Sequence, residues 1–132
     1  MIVLDSHIWV WWVLGNPKLS PEHHKVLQEA EGEGLGVSII SCWEVAKLVE
    51  LGRLELPMAI EQWLAHALRY PGVQLLDLTV EIVVDATRLP GEFHRDPADQ
   101  MLVATARCLE VPLASADRKI LAYKHVQTLS LR

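Results

Sequence analysis

Short apolar runs alternate along the chain with longer segments in which apolar residues recur at the spacing of a helix. Apolar runs of this kind are typical of buried strands, and an alternation of strands with helices predicts βαβ units and a parallel sheet. Strands are predicted at residues 2–4, 35–38, 73–77, 112–114 and 126–129. The pattern therefore predicts an α/β fold.

Helices are predicted between these strands, at residues 7–14, 21–31, 42–51, 58–70, 80–89 and 97–109. Ser20 before Pro21, and Asp96 before Pro97, each place a capping side chain ahead of a proline at the first helical position. Glycines that tolerate a positive φ follow three of the helices, at Gly15, Gly52 and Gly72. The helix boundaries are thus marked by local chemistry as well as by periodicity.

Composition and length narrow the class of protein. A chain of 132 residues with 51% hydrophobic and 22% charged residues is expected to fold as one domain, residues 1–132. The longest apolar run, residues 8–14, is far below the roughly 18 residues that a membrane span needs. No secretory leader is visible at the N-terminus, and we expect a cytoplasmic protein without a membrane segment.

Five acids carry the candidate chemistry, and their places along the predicted elements matter more than their number: Asp5, Glu44, Asp96, Asp99 and Asp117. Asp5 ends the first strand, and Asp117 follows the strand at residues 112–114. The carboxyl ends of parallel strands share one edge of a sheet, and that edge is where such sheets bind ligands. Acids far apart in sequence are therefore expected to converge there.

Glu44 and Asp99 are each predicted to lie in the first turn of a helix, three residues after the cap candidates Ser41 and Asp96. Helices that follow strands begin at the same edge of the sheet, where the helix dipole favours ionised carboxylates. Several acids without cysteine or histidine ligands suit Mg²⁺, or Mn²⁺, better than Zn²⁺. A divalent ion held there is suited to hydrolysis of a phosphodiester bond.

Helix capping is the alternative explanation for two of these pairs. Ser41 with Glu44 has the spacing of a capping box, and Asp96 with Asp99 is a close variant of one. Either pair, considered alone, is compatible with a purely structural role. Capping does not explain why all five acids fall at predicted positions of one sheet edge.

The segments that contain these acids resemble the PIN-domain superfamily, and in particular its VapC-type toxins. They are MIVLDSH at residues 1–7, SCWEVA at 41–46, RDPADQMLVATA at 95–106 and LASAD at 113–117. Their order and separations span the length of the chain. Ser115 stands where the family often has threonine, which leaves the hydroxyl group in place.

The resemblance implies a three-layer PIN-like fold with a five-stranded parallel sheet, Mg²⁺-dependent endoribonuclease activity on RNA and a cognate antitoxin that blocks the site. By position, Asp5, Glu44 and Asp99 match the family's first three acids, and Asp117 matches the fourth. Asp96 is a further acid seen in many toxins of this type. We therefore predict all five as catalytic, with Asp5, Glu44, Asp99 and Asp117 as metal ligands, and we expect a homodimer.

Substrate contacts are predicted from polar and basic residues near the acids: Ser6, Lys47, Arg95, Ser115 and Arg118, with His7, His94 and Lys119 as further phosphate contacts. A net charge of -5 gives no general attraction for nucleic acid, so positive charge must come from a local patch, a metal or a partner. Lys47 has an alternative role, as a helical ion pair with Glu44.

The tryptophans of the first helix also allow two interpretations. Residues 8–14 are all apolar and therefore cover every face of a helix, so part of this helix must lie outside a one-sided core stripe. The three tryptophans in this run, Trp9, Trp11 and Trp12, either pack in the core with scattered exposure or form a partner surface.

Two other functions remain open at this point. One is an inactive PIN-like module that only binds a partner, although no acid of the expected set is missing. The other is a phosphotransfer domain with a phosphorylated aspartate. Asp5 is followed by Ser6 and His7 and lacks the second nearby acid of aspartate-based phosphatases.

Overall fold

A computed structural model describes all 132 residues, Met1 to Arg132. The five strands are β1 Ile2–Leu4, β2 Leu35–Ser38, β3 Val73–Leu76, β4 Leu113–Ser115 and β5 Thr128–Ser130. The seven helices are α1 Ser6–Leu14, α2 Pro21–Ala30, α3 Ile39–Glu50, α4 Ile60–Ala67, α5 Val80–Ala86, α6 Pro97–Leu109 and α7 Arg118–Leu121.

All five strands form one parallel sheet in the order β3-β2-β1-β4-β5. β1 lies in the middle, paired with β2 on one side and β4 on the other. The carboxyl ends of the strands therefore meet at one edge, with the end of β1 at its centre. The predicted α/β fold with a five-stranded parallel sheet is confirmed.

Helices cover both faces of the sheet. Successive side chains of a strand point to opposite faces, so one strand contributes to a core cluster on each side. In β1, Leu4 joins the larger core cluster with residues of α1, α2, α3 and α4, and Val3 joins a second cluster with α6. In β4, likewise, Ala114 belongs to the larger cluster and Leu113 to the second. The result is the three-layer architecture that the PIN-like resemblance implied.

The predicted element order is confirmed except for one added helix, and several boundaries differ. The elements predicted at 58–70, 80–89 and 126–129 are Ile60–Ala67, Val80–Ala86 and Thr128–Ser130. α3 begins at Ile39 rather than residue 42, because Ser38 is its N-cap and accepts a hydrogen bond from the Ile40 N–H at 3.1 Å. The predicted cap Ser41 is wrong: this residue lies inside the helix and is fully buried. α7 was not predicted, since four residues are too few to show helical periodicity.

The local signals at Ser20, Asp96, Gly15 and Gly52 are confirmed, whereas Gly72 lies directly before β3 and not at the end of α4, which stops at Ala67. Ser20 and Asp96 are the N-caps of α2 and α6, with their prolines at the first helical position. Gly72 adopts a φ of +80°, and a Cβ added there would lie 2.5 Å from the Glu31 carbonyl oxygen, so only glycine fits this turn. None of the helices is both long and apolar enough to cross a membrane.

Candidate active site

The five acids converge on one cleft at the carboxyl edge of the sheet. The cleft has a volume of about 330 Å³ and is lined by Asp5, Ser6, His7, Val10, Trp11, Glu44, Val45, Leu48, Arg53, Leu54, Asp96, Asp99 and Asp117. Other surface depressions measure about 460 to 570 Å³, but none of them is lined by more than one carboxylate. The acids thus meet as the sheet-edge argument predicts.

Asp5 occupies the centre of this edge, directly after β1. Its backbone is extended, and its Oδ1 accepts a hydrogen bond from the Ser6 N–H at 2.8 Å, so Asp5 is also the N-cap of α1. Its Oδ2 accepts a 2.7 Å hydrogen bond from the Ser115 hydroxyl at the end of β4. With only 3% of its surface exposed, this carboxylate is held from both sides in a fixed orientation.

Glu44 reaches the cleft from the second turn of α3, which corrects its predicted place in the first turn. The Ser6 hydroxyl donates to Glu44 Oε1 at 2.6 Å, and it also lies 2.8 Å from the buried Ser41 hydroxyl. Ser6 and Ser41 therefore orient this carboxylate. The sequence assigned Ser6 to substrate contact and Ser41 to capping, and it gave no sign of their contact across 35 residues.

Asp96 and Asp99 enter the cleft from the start of α6. Asp96 Oδ1 accepts a hydrogen bond from the Asp99 N–H at 3.0 Å, so the capping role is present together with the place in the cleft. Asp99 Oδ2 lies 2.9 Å from His94 Nε2. Capping and membership of the acid cluster are therefore not alternatives at this helix.

Asp117 lies at the start of α7, two residues after β4 ends. Its Oδ1 accepts the N–H groups of Lys119 and Ile120, at 2.8 and 3.3 Å. Its own N–H donates at 2.9 Å to the hydroxyl of Ser115, the same hydroxyl that donates to Asp5. Ser115 thus joins the first and last acids of the cluster through one oxygen atom.

His7 fixes the same corner of the cleft through its two ring nitrogens. Nε2 accepts a hydrogen bond from the Ala116 N–H at 3.2 Å, so it carries no proton, and Nδ1 faces Asp5 Oδ2 at 3.4 Å. This arrangement selects the tautomer with its proton on Nδ1. His7 and His94, which were predicted as phosphate contacts, each lie beside a carboxylate of the cluster.

Burial and crowding raise the pKa of three of the carboxyls. Burial is the first cause in each case. It raises the pKa of Asp99 from 3.8 to about 8, with further repulsion from Asp5, Asp96, Glu44 and Asp117. The pKa of Glu44 is raised despite the hydrogen bond from Ser6, and that of Asp5 is raised despite His7 and Ser115. Without a cation, this cluster resists full ionisation.

The donor set fits a hard divalent cation that keeps part of its water shell. No three side chains among histidine, cysteine, aspartate and glutamate surround one point closely enough to form a complete protein-only metal centre. Mg²⁺ does not need such a centre, because it binds through one or two carboxylates together with waters and substrate phosphate. Burial first, and then repulsion from neighbouring acids, raise the pKa of Asp99, and a bound cation would offset both effects by stabilising the ionised carboxylate.

None of the lysines and arginines predicted as substrate contacts lines the cleft itself. Lys47 pairs with Glu50 at 2.7 Å rather than with Glu44. Arg95 lines a separate depression beside α5. Arg118 borders a second depression next to the cleft. Arg53 is the one lysine or arginine that lines the cleft itself. Arg53 lies in the loop after α3 and was not predicted. The turn at Gly52 is the one sequence signal beside it, and this turn does not indicate a residue of the cleft.

A comparison with family models matches residues 2–126 to the family described as PIN domain. Among curated proteins, the chain is similar to Ribonuclease VapC22 of Mycobacterium tuberculosis (strain ATCC 25618 / H37Rv). The two are 29% identical over 130 residues, which cover 98% of this chain and 97% of the relative.

Solved structures agree with the fold. The chain is similar to one from VapBC2 of Rickettsia felis bound to a DNA fragment from their promoter, with a TM-score of 0.72, 14% identity and 98% of each chain covered. It is also similar to a chain of FitAcB from Neisseria gonorrhoeae, with a TM-score of 0.71 and 19% identity, covering 99% of this chain and 98% of that one. A chain of a toxin-antitoxin complex from Klebsiella pneumoniae gives a TM-score of 0.70 and 16% identity, covering 100% and 98%.

Proposed function

Because the chain belongs to the PIN-domain family, we propose that it is a divalent-cation-dependent endoribonuclease and the toxin of a toxin–antitoxin pair. The observation that carries the catalytic proposal is the convergence of five carboxylates on one cleft. The similarity to a ribonuclease over almost the whole chain supports the choice of RNA as substrate. RNA as substrate makes the cytoplasm the proposed compartment.

In this proposal Asp5, Glu44, Asp99 and Asp117 hold Mg²⁺ or Mn²⁺, one or two of them directly and the others through water. When bound, the ion supplies charge neutralisation at the scissile phosphate and acidifies water for in-line attack. Asp96 completes the acidic shell. Its hydrogen bond from the Asp99 N–H keeps the start of α6 directed at the cleft.

Hydroxyl and imidazole groups of this chain keep the acids in position. Ser115 and His7 orient Asp5, and Ser6 orients Glu44. Their hydrogen bonds leave the remaining carboxylate lone pairs free for an ion or its waters. We assign Ser6 and Ser115 to positioning rather than to substrate contact, because their hydroxyl protons are already donated to carboxylates.

The cleavage proposal is tested with purified protein and single-stranded RNA. We expect cleavage with Mg²⁺ or Mn²⁺, none with a chelator, and a loss of at least about a hundredfold for Asp5→Asn. Asp77→Asn is the matched control, since Asp77 also follows a strand of the sheet but does not line the cleft. Sequencing of RNA ends after induced expression then identifies the cleavage sites.

The contrary results are specific. Full activity of Asp5→Asn would remove this residue from the mechanism. Absence of both cation binding and RNA cleavage in the intact protein would favour a module that only binds a partner.

The antitoxin proposal rests on the fold neighbours, one of which is a chain of a toxin-antitoxin complex. We expect a small protein encoded next to this gene to copurify with the chain and to suppress RNA cleavage. A neighbouring gene product that neither binds nor inhibits would contradict this pairing. The homodimer stays a prediction, and sedimentation at several concentrations tests it.

A further inference from the structure

A second depression, which we call the Trp11 pocket, adjoins the acidic cleft. Its volume is about 460 Å³, and it is lined by Trp11, Lys18, Ala116, Arg118, Leu131 and Arg132. Trp11 lines both the pocket and the cleft, so the two share a wall. The pocket contains no acidic side chain, whereas the cleft contains five.

The charge of the pocket is opposite to that of the protein as a whole. Lys18, Arg118 and Arg132 supply three of the 12 lysines and arginines of a chain whose net charge is -5. All three are exposed, and none belongs to the five ion pairs of the structure. The pocket therefore offers unneutralised positive charge directly beside a cleft that repels anions.

Trp11 gives the pocket an aromatic wall that is held in place. Its ring lies 4.9 Å from the His7 ring, centroid to centroid, and Lys18 Nζ lies 5.8 Å from its centroid. His7 is fixed in turn by the Ala116 N–H. Trp9, Trp12 and Trp63 are buried in the core, but Trp11 is only half-buried.

A strand of RNA needs attraction of this kind to bring a phosphate to a cluster of carboxylates. Proteins that bind single-stranded nucleic acid combine a cationic groove with aromatic side chains on which bases stack. The Trp11 pocket has both features, and its shared wall puts them next to the acids.

We propose that the Trp11 pocket binds the nucleotide next to the scissile phosphate, with its base stacked on Trp11 and its flanking phosphates at Lys18 and Arg118. This inference rests on the proposed nuclease function and adds a substrate-binding site to it. The pocket also supplies a local patch of positive charge, one of the three sources that the net charge of the chain left open for RNA binding.

The charge is tested with the double variant Lys18→Ala/Arg118→Ala in Mg²⁺-dependent cleavage of a single-stranded RNA. We expect KM to rise about tenfold and by more than kcat falls, and the slope of log KM against log salt to decrease by about 1.4, the value for two lost phosphate contacts. Arg69→Ala/Arg88→Ala removes the same charge from exposed residues that belong to no ion pair and line neither cavity, and it is the matched control. Equal KM values and salt slopes for the two double variants would overturn the proposal.

Stacking is tested by fluorescence, without any need for cleavage. The protein carries Asp5→Asn, so that RNA stays intact, and Trp43→Phe, which removes the other tryptophan that is not buried. With Mg²⁺ present, a mixed-sequence RNA decamer should quench the remaining fluorescence. Trp11→Leu, which keeps apolar packing but has no aromatic face, should abolish the quenching and weaken binding about tenfold.

The outcomes of these two experiments test the Trp11 pocket independently of the proposed nuclease activity. Tight decamer binding without quenching, and unaffected by Trp11→Leu, would overturn the pocket even if the intact protein cuts RNA; a protein partner would then be the better occupant. Quenching that depends on Trp11 and Arg118 would support the pocket even if no RNA cleavage is found. The thermal unfolding midpoint of Trp11→Leu verifies that this variant is folded.

Discussion

At the scale of single residues, the site depends on small polar groups that orient the acids. Ser115 has the largest role, because its one hydroxyl donates to Asp5 and accepts from the Asp117 N–H. Ser115 is fully buried, so neither bond has a ready substitute in water. A serine that the sequence assigned to substrate contact thus links acids that are 112 residues apart.

Ser115→Ala should weaken Mg²⁺ binding most strongly at low pH. The hydroxyl lowers the pKa of Asp5 against the effect of burial, so its removal raises that pKa further. Protons then compete with the cation up to a higher pH, and the midpoint of pH-dependent Mg²⁺ binding should move upward. Calorimetric titration between pH 5 and 9 measures this shift.

Ser115→Thr is the matched control, because it keeps the hydroxyl and should keep the midpoint of the intact protein. An unchanged midpoint in Ser115→Ala would show that the hydroxyl does not control the ionisation of Asp5.

At the scale of elements, the start of each helix decides what its first turns carry into the cleft. Ser38, the last residue of β2, is the N-cap of α3, and this start places Glu44 in the second turn. Asp96 is the N-cap of α6, and this start places Asp99 in the first turn. The N-cap of each helix therefore affects the direction in which the acidic side chain of that helix enters the cleft, as well as the stability of the helix.

Ser38→Ala and Ser20→Ala form a matched pair for this point. Both serines are N-caps that accept one backbone N–H at 3.1 Å, so each alanine should lower the free energy of unfolding by about 1 kcal/mol. Of the two helices that these serines cap, α2 and α3, only α3 carries an acid of the cluster. Only Ser38→Ala should therefore also weaken Mg²⁺ binding. Urea unfolding and calorimetric titration of both variants provide the comparison. An equal loss of Mg²⁺ affinity in the two variants would mean that general stability, not the direction of α3, controls the site.

At the scale of the whole molecule, the acidic cluster that the proposed function requires lowers the stability of the metal-free protein. The folded state gathers carboxylates that the unfolded chain keeps apart in water. The pKa of Asp99 is about 8 in the fold, above its ordinary 3.8, so the folded state keeps a proton that the unfolded chain releases at lower pH. The metal-free protein must therefore lose stability as pH rises from about 4 to 8.

Asp99→Asn should stabilise the metal-free protein at pH 9 and leave it almost unchanged at pH 4, where the Asp99 carboxyl of the folded intact protein is protonated and, like asparagine, carries no charge. Because part of the repulsion is screened by solvent, we expect a gain on the order of 2 kcal/mol at the higher pH. Thermal unfolding in the presence of a chelator, across this pH range, measures it. Mg²⁺ should raise the midpoint of the intact protein and have little effect on the variant. A variant that is less stable than the intact protein at pH 9 would contradict the conclusion that the ionised Asp99 carboxylate destabilises the metal-free protein.

The sequence alone determined the features that neighbouring residues control. Short apolar runs and segments of helical period predicted the order of β1 to β5 and of α1 to α6, and the Ser20-Pro21 and Asp96-Pro97 pairs predicted two helix starts. The places of Asp5 and Asp117 after their strands predicted the edge of the sheet at which they meet, because all carboxyl ends of a parallel sheet share one edge.

Only the tertiary structure decided which side chains meet at that edge. The strand order 3-2-1-4-5 brings Ser115 to Asp5 across 110 residues, and the packing of α1 on α3 brings Ser6 to Glu44 across 38. The roles of His7 and His94, the cap at Ser38, Arg53 and the Trp11 pocket were all hidden in the sequence. The physical reason is that apolar periodicity records which face of an element is buried, whereas a contact between distant residues depends on how the elements are arranged in space.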